Sequence, residues 1–168
     1  HIFPALRPYS PDGAPRNGGR SLVYPCEQMI ADMEANGISS AVILAGPVYG
    51  DWNSYALEAM QAYKERFLAA AAFFDPWRAD AKAWYQRDIS EVFKGVKLEC
   101  SCSGGLFSLH QGCSLDDEIV LWLCRQMEQR GQTLVLDLGK PGTRSYQTGA
   151  VVSIAKKYPD LKLRFNGR

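Results

Sequence analysis

The stretch TLVLDLGKPG, residues 133–142, reads as a buried strand running into a turn with Gly and Pro, and one carboxylate, Asp137, interrupts its apolar run. Side chains alternate across a strand, so Leu134, Leu136 and Leu138 share one face while Asp137 shares the other with Val135. An ionised carboxylate withdrawn from water is costly unless it meets a cation, a metal or several hydrogen-bond donors. The stretch therefore asks for a partner, and for a fold in which a charge within a sheet has room.

Four further runs, 40–45, 67–74, 95–100 and 161–165, are similarly short and apolar, as suits buried parallel strands. Amphipathic segments lie between them. Cys26, Met29, Ile30 and Met33 recur at helical spacing after Pro25 and stop before Gly37, which predicts a helix with Pro at its start and Gly past its end. A second helix is expected after Asp51, with Trp52, Tyr55, Ala56 and Ala59 on one face. A third is expected from Asp75-Pro76-Trp77, where Asp75 reads as a capping carboxylate. A fourth is expected from Ser114 to Gly131 and a fifth over about 144–158. Strand and helix alternate at an interval that suits a βα unit of about 30 residues.

With 168 residues, 46% hydrophobic and 22% charged, the chain suits one domain spanning 1–168. A formal charge of +1 and dispersed basic residues give no nucleic-acid or anionic-membrane face. No run approaches the roughly 20 apolar residues of a membrane span and no charged-then-apolar leader opens the chain, so the expected compartment is the cytoplasm. The five cysteines leave one unpaired under any disulfide scheme, which favours reduced thiols. Cys100, Cys102, His110 and Cys113 admit a zinc knuckle, but their spacing lacks the usual Cys-x2-Cys pair and an ordinary loop with small buried thiols is the preferred reading.

Two architectures suit this pattern: a doubly wound, flavodoxin-like binding domain complete in five strands, and part of a (β/α)8 barrel of about 250 residues. Strand parity separates them. Lys97 and Glu99 share one face of their strand, Val96 and Leu98 the other, and Asp137 repeats the pattern. A sheet covered by helices on both faces has little room for such charges, whereas the mouth of a barrel has room.

HIFP at 1–4, EANGISSAVILAG at 34–46, RFLAAAAFFDPW at 66–77, FKGVKLE at 93–99 and LVLDLGKPG at 134–142 together resemble the amidohydrolase-related family, metal-dependent hydrolases and decarboxylases on a TIM barrel. The resemblance implies an α/β fold of (β/α)8 TIM-barrel type, with about five of the eight βα units represented, and hence the expectation that the chain is part of a longer barrel. It also implies a divalent metal, commonly zinc, that activates water or polarises a carbonyl. His1 resembles the second His of the family's His-x-His pair, and Asp137 falls where the family carries a metal-binding His, so the resemblance makes His1 and Asp137 the candidate metal ligands.

Two readings of Asp137 stand side by side: a metal ligand, or half of an ion pair with Lys97 or Lys140. Lys97, Glu99 and Asp137 are the candidate catalytic residues, with Lys97 contacting an anionic group and Glu99 relaying protons. A salt bridge between Lys97 and Glu99 that merely fills the barrel is their structural alternative. His110 in the loop after the third strand, with Lys140 and Arg144 after the fourth, are candidate substrate-binding residues; a solvated His110 and a plain strand-to-helix turn are the alternatives. The function expected is hydrolysis of a small carboxylated ring compound or lactone, or a related C–C cleavage such as decarboxylation. The alternatives are a catalytically degenerate barrel and the five-stranded binding domain. The expected partner is a small-molecule substrate, with no nucleic acid or membrane, and a homo-oligomer is compatible with the sequence.

Overall fold

Alternating apolar strands and amphipathic helices fold as their periodicity dictates in the computed structural model, which describes residues 2, 23–44, 46, 52–102 and 104–166. The chain forms two compact units, His1–Phe73 and Phe74–Arg168.

In the first unit, α1 (Cys26–Ala35) precedes β1 (Ala41–Leu44), and α2 (Trp52–Ala62) leads to β2 (Phe67–Phe73), which pairs with β1 in parallel. Pro25 sits just outside α1, and Cys26, Ile30 and Met33 bury one stripe. The helix stops where Gly37 adopts φ +66°, while Ile38 N–H donates to the Met33 carbonyl at 2.8 Å; this left-handed turn favours glycine. On α2, Trp52, Tyr55, Ala56 and Ala59 are buried, and Tyr55 Oη accepts the Cys26 N–H at 2.8 Å. Asn53 closes the end of β2: its amide donates to the Phe73 carbonyl and its oxygen accepts the Phe73 N–H, both at 2.9 Å.

The second unit opens with α3 (Ala81–Trp84), which continues as a π-helical turn (Tyr85–Ile89). Next come β3 (Gly95–Glu99), α4 (Leu106–Leu109), α5 (Glu118–Gln129), β4 (Thr133–Asp137), α6 (Thr148–Lys157) and β5 (Lys162–Asn166). The three strands are parallel and in chain order, with Gly95 opposite Thr133 and Thr133 opposite Lys162. At the other end Glu99 pairs with Asp137, and Asp137 with Asn166. Val96, Leu98, Leu134, Leu136 and Leu138 are fully buried, each contributing about 1.5–3 kcal/mol. The opposite faces carry Lys97, Val135, Glu99 and Asp137, as the alternation requires.

Three helix starts lie later than the sequence signals suggest. Asp75 accepts the Trp77 N–H at 3.0 Å and shapes a turn, and α3 begins only at Ala81. Ser114 does not cap a helix directly; its N–H donates to Asp117 at 2.9 Å, and Asp117 precedes α5. The fifth expected helix, α6, starts at Thr148 because residues 143–147 form hydrogen-bonded turns. Ser, Thr and Asp offer local bonds that compete with the helix, so a capping signature fixes a turn before it fixes a helix.

Candidate functional site

Cross-strand pairing of Glu99 with Asp137 sets two carboxylates side by side at the C-terminal ends of β3 and β4. Lys97, two residues earlier on the same face, sends its ammonium between them, 3.0 Å from Glu99 Oε2 and 3.6 Å from Asp137 Oδ2. The Lys97 side chain is 3% exposed, against 17% for Glu99 and 29% for Asp137, so the lysine forms the floor and the carboxylates the rim. At an effective dielectric near 20, unit charges about 4 Å apart attract by about 4 kcal/mol, and desolvating the ammonium costs a similar amount. The arrangement thus fixes position more than it adds stability, and it keeps a net negative group at the strand ends.

The turn after β4 is built to hold Asp137 there. Cys100 N–H donates to the Asp137 carbonyl at 2.8 Å, and Gly139 N–H approaches Oδ1 at 3.4 Å. Gly139 has φ +75°, and a Cβ there would lie 3.2 Å from Ser101 Cβ and from Ser145 Oγ. Fully buried Ser145 donates to the Leu138 carbonyl at 2.7 Å. Lys140 is exposed on this turn and is not the partner of Asp137. The Arg144 guanidinium donates to the Phe107 carbonyl and lies 5.4 Å over the Phe107 ring, which docks the turn against α4.

The loop after β3 folds back across the strand end at Gly105, where a Cβ would come within 2.6 Å of the Glu99 and Ser101 carbonyl oxygens. His110 follows α4. It is not a freely solvated loop residue: its Nε2 lies 2.8 Å from Oδ2 of buried Asp75, and its side chain is 29% exposed. Asp75 escaped the sequence reading as anything but a helix cap. The available signal was its place just past an apolar strand, close to the strand ends where Glu99 and Asp137 sit on theirs.

The zinc knuckle, the less favoured reading of these residues, does not assemble among the described residues. Cys100 is buried, and burial pushes its thiol well above the usual range; Cys102 is exposed, and Nε2 of His110 is paired with Asp75. Among the described residues no three His, Cys, Asp or Glu side chains group as metal ligands, and the gap between Glu99 and Asp137 is filled by an ammonium. The described residues therefore do not fit a divalent metal. His1, the other ligand implied by the resemblance, lies outside the described residues.

A match to the amidohydrolase family spans residues 8–165. The chain belongs to the amidohydrolase family. The fold is that of TIM-barrel proteins, as two solved structures show. An uncharacterised TIM-barrel protein of Bordetella bronchiseptica is 19% identical, with a TM-score of 0.65, covering 82% of this chain and 49% of that one. A probable 2-pyrone-4,6-dicarboxylic acid hydrolase of Acinetobacter baumannii, solved with citric acid bound, is 14% identical, with a TM-score of 0.58, covering 99% of this chain and 57% of that one. This amidohydrolase chain thus spans about half the length of the solved structures it resembles. No curated protein matches it in sequence. The family is generally enzymatic and commonly binds divalent metals. The flavodoxin-like alternative gives way to the barrel type.

Proposed function

We propose that the protein is a hydrolase that opens a small carboxylated ring compound or lactone with water, and that residues 1–168 are part of one barrel domain with the site at the C-terminal ends of its strands. The observation that carries this reading is the Lys97–Glu99–Asp137 cluster, charged side chains held at strand ends where a buried sheet would place apolar ones. Membership of a family of hydrolases and decarboxylases supports it, and one structural relative is named for acting on a pyrone dicarboxylate.

In this reading the rim carboxylates of Glu99 and Asp137 relay protons to the leaving oxygen, and Lys97 fixes both in place. Arg144, held against Phe107, and exposed Lys140 supply cationic groups for the carboxylates of the substrate. Decarboxylation is the second outcome open to the same cluster. The metal dependence implied by the family has no donor set among the described residues, and no step here runs through a metal. The ligand is a small molecule rather than nucleic acid or a membrane, in keeping with the net charge of +1. Among the described residues no helix is long and apolar enough to cross a membrane, and the proposed compartment is the cytoplasm.

Ring opening of 2-pyrone-4,6-dicarboxylate and of dihydrocoumarin, followed by loss of ring absorbance, tests the reading. Glu99→Gln and Asp137→Asn are expected to lower kcat by about 100-fold or more, and Arg144→Met to raise KM for the dicarboxylate alone. Unchanged rates in both carboxylate variants would remove the assignment.

A further inference from the structure

The loop after β3 brings together a second set of groups that the Lys97 cluster does not use. Asp75, just past β2, and His110, just past α4, meet at 2.8 Å through Oδ2 and Nε2. The other oxygen of Asp75 accepts the Trp77 N–H at 3.0 Å, so the carboxylate cannot turn away. The imidazole packs at 5.6 Å against the Trp77 indole, whose N–H is held at 2.8 Å by Asp117. Cys113 Sγ donates to the His110 backbone carbonyl at 2.9 Å, which anchors the main chain there. Position and tilt of the imidazole are thus fixed from several sides. A carboxylate only accepts, so Nε2 carries the proton and Nδ1 presents a lone pair, with no partner for Nδ1 among the described residues.

We propose that Asp75 and His110 form a carboxylate–imidazole dyad whose free Nδ1 is the general base of the hydrolytic reaction, an assignment that rests on the hydrolase reading above. A merely structural clamp would need only the Asp75 contact. The ring is partly exposed, its side chain 29% so, and lies in a loop that follows a strand's C-terminal end, where barrels place their working groups. As Nδ1 takes a proton from water, the water oxygen bonds to the acyl carbon of the lactone. The ring C–O bond then breaks with its electron pair going to the leaving oxygen, and the imidazolium proton passes to that oxygen by way of the rim carboxylates of Glu99 and Asp137. Asp75 is the positioning residue. The charged and titratable groups around His110 are Asp75 beside it, the Cys113 thiol at its backbone carbonyl, Asp117 behind Trp77, and Arg144 at the Phe107 carbonyl. Burial raises the Cys113 thiol above its usual range.

The chain has two histidines, so nitrogen-15 histidine NMR on the protein, with His110→Gln for assignment, reads the tautomer directly. The expected result is an Nε2–H tautomer with unprotonated Nδ1, and an acidic limb in kcat/KM for dihydrocoumarin. His110→Gln should lose the limb and about 100-fold in rate, and Asp75→Asn about 10-fold with a shifted limb. An Nδ1–H tautomer in the wild type overturns the dyad whether or not the variants fold. Lactone opening that persists with its limb in His110→Gln overturns the dyad and leaves the hydrolase reading. A wild type with the expected tautomer that opens no lactone overturns the hydrolase reading, and with it the task given to the dyad.

Discussion

The two ends of β4 satisfy buried polar groups in opposite ways. Just before the strand, Gln132 is buried and neutral: its amide donates to the Ser90 carbonyl at 3.1 Å and the Phe93 carbonyl at 2.7 Å, while its oxygen accepts the Tyr85 hydroxyl at 2.5 Å. None of these bonded groups is charged, and each side-chain polar atom of Gln132 has a protein partner. At the far end Lys97 faces two carboxylates whose oxygens stay partly in water. Neutral groups inside a protein contribute once their bonds close, whereas charges carry a desolvation cost that local pairing only offsets. A barrel keeps the first kind of group at its structural end and the second at its working end.

Breaking the charged end has the largest expected effect. Lys97→Met leaves two carboxylates facing each other without a cation and should cost about 3–5 kcal/mol in denaturant unfolding. Adding Glu99→Gln to that variant should return part of the loss, because it removes the repulsion; full additivity of the two changes would show that the three groups do not interact.

At the neutral end, Gln132→Leu strands two carbonyls and a hydroxyl, and a loss of about 2–4 kcal/mol is expected. Tyr85→Phe removes one bond and should cost about 1 kcal/mol. Burial pushes the Tyr85 phenol up from 10.0 to about 12. A phenol raised in the folded state favours the protonated, folded form, so its contribution is complete below pH 10 and is lost as pH rises through about 12. Thermal unfolding from pH 9 upward should therefore fall more steeply in the wild type than in Tyr85→Phe; parallel curves would remove the burial argument. The smallest change is expected for Lys140→Ala, on the exposed turn, within about 0.5 kcal/mol of the wild type.

The sheet was largely legible from periodicity. All five strand runs are strands to within a residue or two, and in the second unit the order follows the chain. Helix starts were less legible, since the acidic residues at 75 and 116–118 signal a turn as readily as a cap. Within the site, the inward parity of Lys97, Glu99 and Asp137 followed from alternation alone. The pairing of Asp75 with His110 did not, because thirty-five positions and an irregular loop separate them.

What the sequence by itself determined is which face each strand residue takes, because a period of two is a property of the local backbone. It also determined that Asp137 asks for a cation, a metal or several hydrogen-bond donors, since the cost of withdrawing a carboxylate from water holds in any fold. Which cation answers it was a tertiary decision. Lys140 is three residues away in sequence but lies on a turn that Gly139 and Ser145 direct into solvent, whereas Lys97 comes forty residues earlier and arrives through the register of β3 against β4. Sequence separation carries no information about such a contact; strand register and loop closure set it, and they exist only once the chain has folded.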